Sequence, residues 1–222
     1  MKQDEPGGEY FPPAYLACGR NQVARLAIFI DGGYCDALAE DEFSIRVDLG
    51  KLSEEIKQIV AAKTPETVDL LRTFYYHCLP YQSNPPTEEE KLRFGRKRRF
   101  FDALRHLPRF AMREGRLAFK GYAANGKPIF QQKRTDLLLG LDFALLSGKR
   151  QITHAAVVGG DSDLLPAFHV AKDEGILVWL FHGPRISKKD GSATFANELW
   201  LEADERFEID QAFMNRIARS AK

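Results

Sequence analysis

The sequence predicts an α/β protein whose central sheet is mostly parallel. Short apolar runs alternate along the chain with longer segments in which apolar residues have helical spacing. Several of these runs are continuously apolar, which is typical of strands that helices cover on both faces. The chain has 222 residues and is 44% hydrophobic, which is enough for one domain with a full core. Because strands and helices alternate, the strands are expected to be joined by crossovers and to run in parallel.

The first third of the chain contains two predicted strands. Residues 1–22 are polar and rich in Pro and Gly, and we expect a flexible N-terminal segment. The run Arg25–Asp31 predicts a central strand. Residues 50–62 have apolar side chains at helical spacing and predict a helix. Leu70–Cys78 predicts a second strand, followed by a loop over residues 79–86.

A basic region occupies the middle of the chain. Thr87–Glu90 matches a capping box and predicts a long helix that ends near His106. Residues 109–122 alternate loosely and predict one or two strands with a turn at Glu114. We interpret residues 87–120 as a basic helical insertion. Thr135–Ser147 predicts a further helix, ended by a glycine.

The last third alternates in the same way. The predicted elements are a strand at 155–159, a helix at 164–174, a strand at 176–181, and helices at 195–203 and 210–219. The chain has no internal repeats, and residues 23–222 are predicted to form a single domain.

The cysteines and the apolar runs exclude several classes of protein. Cys18, Cys35 and Cys78 are an odd number without metal-ligand spacing, so neither a disulfide framework nor a zinc site is expected. The N-terminus lacks the apolar run of a signal peptide, and no run approaches the roughly 18 residues of a membrane span. These features predict reduced cysteines, a cytoplasmic location and no contact with membranes.

Four aspartates occupy positions that are typical of a metal site. Asp31 ends the first strand, and Asp161 and Asp163 follow the strand at 155–159. Active sites in parallel sheets lie at the carboxyl ends of strands, so these three should share one crevice. Asp136 lies in the first turn of a predicted helix, where a carboxylate is also favoured. Such a set of oxygen ligands prefers Mg²⁺ or Mn²⁺.

A purely structural role for these aspartates is the alternative. Asp beside Gly is common in turns, and Asp at a helix start is often only a cap. Two carboxylates at one strand end, Asp161 and Asp163, repel each other unless a cation is bound, which favours the metal site. Asp142 is a weaker candidate because it points about 240° away from Asp136 on a helix. We expect Ser162 to cap the helix that follows it.

The distribution of positive charge predicts a polyanionic partner. The whole chain has a net charge of +1, yet residues 91–120 hold 11 Lys or Arg and two acids. A solvated charged face is the alternative to nucleic-acid binding. The candidate nucleic-acid contacts are Arg96, Lys97, Arg98, Arg99, Lys133 and Arg134.

Three motifs occur in a characteristic order. They are Ala27-Ile-Phe-Ile-Asp31-Gly-Gly-Tyr34, Lys133-Arg-Thr-Asp136 at a helix start, and Ala156-Val-Val-Gly-Gly-Asp161-Ser-Asp163-Leu-Leu-Pro166. Together with Leu199-Trp-Leu-Glu-Ala-Asp204, they resemble the NYN domain (LabA-like) family of the PIN-like nuclease superfamily. The resemblance covers about residues 24–205.

The resemblance implies a Rossmann-like, three-layer α/β/α sandwich with a metal-dependent ribonuclease site. Asp31, Asp136, Asp161 and Asp163 would be the metal-binding and catalytic residues. Tyr34 stands where the family commonly has Asn, which can orient a carboxylate or a water. The larger basic region before Arg109 is expected to shape the substrate channel.

Three functions are therefore considered. The first is a Mg²⁺- or Mn²⁺-dependent endoribonuclease that cleaves single-stranded RNA, with a homodimer left open. The second is a catalytically weak, RNA-binding regulatory module on the same fold. The third is a phosphatase for small phosphoesters, although its usual D-x-D after the first strand is replaced here by Asp31-Gly-Gly.

Overall fold

The computed structural model describes residues 23–122 and 128–219, without the side chains at 122 and 128–133. The predicted flexible segment 1–22 lies outside these residues. Eight strands are present in the described part of the chain. They are β1 (Val23–Asp31), β2 (Thr67–His77), β3 (Phe110–Glu114), β4 (Arg116–Tyr122), β5 (Pro128–Lys133), β6 (His154–Val158), β7 (Leu177–His182) and β8 (Glu205–Glu208).

Seven α-helices connect or follow these strands in the same residues. They are α1 (Gly32–Ala37), α2 (Leu49–Lys63), α3 (Glu88–Arg105), α4 (Thr135–Gly148), α5 (Leu165–Asp173), α6 (Asn197–Glu202) and α7 (Gln211–Arg216). A π-helical turn, Leu38–Glu42, continues α1, and a 3₁₀ turn, Ser162–Leu164, precedes α5. No helix among the described residues is long and apolar enough to cross a bilayer.

Six strands form one sheet in the order β3-β2-β1-β6-β7-β8, and every neighbouring pair is parallel. The chain builds outward from β1 to one edge and then outward from β6 to the other. The order therefore reverses between β1 and β6, which is where open α/β sheets form a crevice for ligands. The predicted parallel α/β sheet is confirmed, and its reversal point lies between β1 and β6.

The sheet has a separate hydrophobic core on each face. Leu26, Ile28 and Ile30 of β1 belong to one core, with residues of α2, α3 and α7. Ala27 and Phe29 belong to the other core, with residues of α4, α5 and α6. Alternate side chains of a strand point to opposite faces, so a continuous apolar run can supply both cores. This arrangement is the expected three-layer sandwich.

The long basic helix begins as the sequence predicts. Thr87 Oγ1 accepts a hydrogen bond from the Glu90 amide (3.2 Å), and Glu90 Oε2 accepts one from the Thr87 amide (2.9 Å). The same Glu90 oxygen accepts bonds from the backbone and hydroxyl of Ser83. The capping box therefore also fixes the loop that leads from β2 to α3. Helix α3 ends at Arg105, with His106 as its C-cap.

Residues 109–122 form two strands that belong to different sheets. β3 joins the main sheet beside β2, whereas β4 pairs in antiparallel with β5. β5 was not predicted because its sequence, PIFQQK, has only two adjacent apolar residues and a proline. β8 was also not predicted, because an edge strand of sequence ERFE needs no apolar run.

Candidate active site

Asp31 lies at the carboxyl end of β1, in the middle of the sheet. Its Oδ1 accepts hydrogen bonds from the amides of Gly33 (2.9 Å) and Tyr34 (3.2 Å), so Asp31 caps α1. Burial raises the pKa of Asp31 to about 6, and the charge of Asp136 adds to the rise, although the two amide bonds oppose it. The Asp31 carboxylate therefore caps α1 and also interacts with the negative charge of Asp136.

The glycine after Asp31 is required by close packing. A Cβ atom at Gly32 would lie 2.6 Å from Cζ of Tyr75 and 2.7 Å from Cδ2 of His77. Tyr75 is fully buried and cannot withdraw. Because residue 32 is a glycine, the ring of Tyr75 and the imidazole of His77 can pack against the start of α1.

Asp161 and Asp163 follow β6 in the 3₁₀ turn region and are exposed. Asp161 Oδ1 accepts a hydrogen bond from the Asp163 amide (2.9 Å) and caps the turn. The expectation that Ser162 would be the cap is wrong, because the turn already begins at Ser162 and the residue before it holds the cap position. A Cβ atom at Gly159 would lie 3.8 Å from Cβ of Asp31, so the ends of β1 and β6 are adjacent.

Gly160 fits between two other parts of the chain. A Cβ atom there would lie 2.5 Å from the carbonyl oxygen of Thr194 and 2.8 Å from Cε2 of Tyr34. The Gly160 carbonyl also accepts a hydrogen bond from the Ala196 amide (2.8 Å). The segment that carries Asp161 is therefore held between α1 and residues 194–196.

Asp136 is the second residue of α4 and is half-buried. Burial raises its pKa, and the negative charges of Asp161 and Asp163 raise it further. The negative charge of Asp136 in turn contributes to the raised pKa of Asp31. The structure thus brings the four predicted aspartates together from three separate parts of the chain, close enough for their charges to interact. We call these four residues the acidic cluster.

The acidic cluster suits a hard divalent cation by its chemistry. Among the described side chains, no three Asp, Glu, His or Cys residues stand in a ready-made ligand arrangement. The fit comes from the donor set, which has oxygen atoms only. Burial raises the pKa values of Asp31 and Asp136, and the charges of neighbouring carboxylates raise them further. Mg²⁺ and Mn²⁺ bind through few carboxylates and complete their shell with water, so a loose set of acids suits them.

The predicted basic contacts fall into two groups. Lys97 and Arg98 are engaged by acids: Lys97 Nζ lies 2.8 Å from Asp36, and Arg98 is paired with Asp102 and Glu114 at 4.0 and 3.6 Å. Arg96, Arg99 and Arg134 are exposed, and the side chain of Lys133 is not described. Arg134 precedes α4 with a left-handed backbone (φ 75°), which is uncommon for a side chain with a Cβ.

Sequence reasoning missed a polar network beside the acidic cluster. Asp36 Oδ2 lies 3.0 Å from His77 Nε2 and 2.8 Å from Lys97 Nζ, and these two nitrogens are 3.1 Å apart. Burial would raise the pKa of Asp36, but the bonds from His77 and Lys97 outweigh it and lower the pKa. The three residues come from α1, β2 and α3. No spacing in the sequence links them, and only the fold brings them together.

Tyr34 and Asp142 are also accounted for by their contacts. The Tyr34 hydroxyl accepts a hydrogen bond from the Gly183 amide (2.8 Å), which ties α1 to the loop after β7. Asp142 accepts bonds from the Tyr76 hydroxyl (3.0 Å) and from Arg113 Nε (2.7 Å). These partners give Asp142 a structural role apart from Asp136.

The chain matches the model of a known protein family. The family is the NYN domain family, whose model matches residues 25–207. No curated protein matches the chain. The matched range runs from within β1 to within β8 and contains all four aspartates of the acidic cluster.

Proposed function

Because the chain belongs to the NYN domain family and has its PIN-like nuclease fold, we propose that it is a metal-dependent endoribonuclease for single-stranded RNA. The observation that carries this proposal is the acidic cluster at the reversal point of the sheet. Four carboxylates from three chain segments interact there, and the pKa values of two of them are raised. Perturbed carboxylates in a crevice are typical of functional sites.

Asp31, Asp136, Asp161 and Asp163 would hold Mg²⁺ or Mn²⁺ in this proposal. When bound, such an ion supplies an activated water and stabilises charge on the leaving oxygen of a phosphodiester. The protein's own contribution is to hold the carboxylates. Asp31 is fixed by two amide bonds, Asp161 by one, and Asp136 by a hydrogen bond with the side chain of Thr135. Side chains fixed in this way lose little freedom when they bind an ion.

The basic residues would hold the RNA backbone. We assign this role to Arg96, Lys97, Arg98, Arg99, Lys133 and Arg134, because Lys and Arg bind phosphates without regard to sequence. Arg96, Arg99 and Arg134 are exposed and need release no ion pair from another residue. Lys97 and Arg98 would first share their charge with the acids that already contact them.

A catalytically weak, RNA-binding regulatory module is the second candidate. Two observations favour it. The described residues contain no ready-made set of metal ligands, and the Tyr34 hydroxyl already accepts a hydrogen bond from the Gly183 amide. The cytoplasmic location and self-association stay predictions from the sequence.

Asp161→Asn is expected to lower Mn²⁺-dependent RNA cleavage by at least roughly 100-fold, since losing groups that merely orient a metal ligand already costs about 10–100-fold. Asn still caps the 3₁₀ turn, so the fold should be retained. The measurement is the rate of cleavage of a labelled single-stranded RNA, with Mn²⁺ and with a chelator.

Asp142→Asn is the matched control, because it removes a carboxylate that Tyr76 and Arg113 already engage. Its cleavage rate should stay within about threefold of the parent protein, a factor worth less than 1 kcal/mol in the barrier. Unchanged cleavage by Asp161→Asn would refute the assignment. Salt-dependent RNA binding without metal-stimulated cleavage in the parent protein would favour the regulatory module instead.

A further inference from the structure

A wide groove with a volume of about 1000 Å³ lies between α3 and the segment that leads into α2, and Asp36 near the end of α1 also lines it. One side is α3, which contributes Leu92 and Phe100, and Leu92 is 56% exposed. The other side is the segment between the π-helical turn and α2, which contributes Ile45 and Val47. Apolar side chains from two elements are therefore available to a ligand in the groove.

Four exposed arginines also line this groove. Arg93 and Arg96 come from α3, and Arg46 and Arg219 come from the opposite side. The ion pairs of α3 are made by other residues, namely Lys91, Lys97, Arg98 and Arg105. The groove also has three acids, of which Asp36 is already neutralised by Lys97. Its positive charge therefore exceeds its negative charge. Among the described residues the four arginines form no ion pair, although the charge of Arg93 acts on Glu90.

The groove and the acidic cluster are separated by the length of the short helix α1. Asp31 caps the start of α1, and Asp36, which lines the groove, lies near its end. Five residues of helix span about 8 Å. The contact of Asp36 with Lys97 joins α1 to α3 at this point. The acidic cluster and the groove therefore lie at opposite ends of α1.

We propose that this groove binds the RNA strand on one side of the phosphate to be cleaved, with Arg46, Arg93, Arg96 and Arg219 contacting its backbone. The inference rests on the proposed function and adds three residues, Arg46, Arg93 and Arg219, to the binding surface. Guanidinium groups bind phosphates in a fixed, bidentate geometry. Bases stack on apolar and aromatic side chains between such contacts.

The chemistry of the groove selects single strands. Apolar side chains such as Phe100 and Leu92 can contact only bases whose faces are unstacked, and a duplex does not offer them. An acidic peptide would satisfy the arginines but would leave the apolar lining without a matched partner. A single-stranded RNA satisfies both sets of side chains.

The test is the affinity of the full chain for a labelled single-stranded RNA of about 12 nucleotides, measured by anisotropy at several salt concentrations. Asp161→Asn serves as the parent, so that the RNA stays intact. Adding Arg46→Ala and Arg219→Ala should weaken binding about tenfold and reduce the salt slope by about 0.7 for each arginine removed. Arg93→Ala with Arg96→Ala should have the same effect from the opposite side.

The control removes two cations outside the groove, through Lys57→Ala and Lys149→Ala. Neither residue lines the groove, and the double variant should change the affinity by less than about twofold. The same sequence as a duplex, or an acidic peptide of equal charge, should bind more weakly than the single strand, because neither places unstacked bases against the apolar lining. Equal or tighter binding of either ligand would overturn the single-strand assignment.

Cleavage separates this inference from the proposed function. In a protein that retains Asp161, the Arg46→Ala and Arg219→Ala substitutions should raise the KM for cleavage of a single-stranded RNA that fills the groove. The kcat should stay unchanged. RNA binding that does not change in the arginine variants overturns the groove proposal, whatever the parent protein cleaves. Weakened binding without any cleavage by the parent supports the groove and refutes the nuclease function alone.

Discussion

Asp31→Asn is expected to abolish RNA cleavage and, in the same protein, to raise the free energy of unfolding above neutral pH. Cleavage should fall by at least roughly 100-fold, because a carboxylate of the acidic cluster is removed. The stability should rise because Asp31 is ionised in a buried position beside Asp136. Asn is an equally good N-cap and keeps both amide bonds to Oδ1.

The expected gain follows from the pKa of Asp31. A rise from 3.8 to about 6 in the folded protein corresponds to about 3 kcal/mol of destabilisation when the group is ionised. The variant also loses favourable contacts of the Asp31 carboxylate, which reduces the expected stabilisation. We therefore expect the free energy of unfolding to rise by about 1–3 kcal/mol at about pH 8. Denaturant unfolding of the chelator-treated proteins measures it.

The gain should depend on pH in a defined direction. The folded protein binds the Asp31 proton more tightly than the unfolded chain, so this group stabilises the fold at low pH. That stabilisation is complete below the unfolded pKa of 3.8 and is lost as the pH rises through about 6. The variant should therefore match the parent in stability at low pH and exceed it at high pH.

Asp48→Asn is the matched control for this experiment. Asp48 caps α2 by the same pair of bonds, from Gly50 (3.0 Å) and Lys51 (3.1 Å), but lies outside the acidic cluster. The control should change the stability by only a few tenths of a kcal/mol and should retain cleavage. A variant of Asp31 that is destabilised at high pH, or that cleaves RNA normally, would contradict the account.

Gly160→Ala is expected to destabilise the fold by about 3 kcal/mol and to remove cleavage with it. The new methyl group would lie 2.5 Å from the Thr194 carbonyl oxygen and 2.8 Å from the Tyr34 ring, so the backbone must move. Overpacking of this kind typically costs about 1–3 kcal/mol. The movement would displace the adjacent Asp161. Thermal unfolding and the cleavage assay measure the two effects.

Gly148→Ala provides the comparison at the end of α4. A methyl group there meets nothing within 4 Å in the described structure, and Ala is the better helix former. This variant should be as stable as the parent or more stable by up to about 1 kcal/mol. If both substitutions had the same effect, the close packing at Gly160 would not limit the site.

The centre of the site could be predicted from the sequence because its signals are local. β1 contains the apolar run 26–30 and β6 the run 155–158; Asp31 ends the first, and Asp161 and Asp163 follow the second after two glycines. Parallel strands present their carboxyl ends at one edge, so Asp31, Asp161 and Asp163 had to be close once the sheet was parallel. The capping box at Thr87 is local in the same sense.

Other features depend on packing between distant segments and leave no local signal. Helix α1 starts with two glycines, which are poor helix formers, and exists because Asp31 caps it. The contact of Asp36 with His77 and Lys97 spans 61 residues, and that of Tyr34 with Gly183 spans 149. Arg219 joins the groove only because the end of the chain returns to Arg46. The run of basic residues on α3 could be found, but its division into paired and exposed side chains could not.

The most direct test of the acidic cluster is anomalous diffraction from a crystal of the protein soaked in Mn²⁺ at neutral pH. The account predicts a manganese peak between Asp31 and Asp136, in contact with Asp161 or Asp163, and its loss in Asp31→Asn crystals. Well-ordered carboxylates with no manganese among them, or manganese bound only elsewhere on the surface, would contradict it.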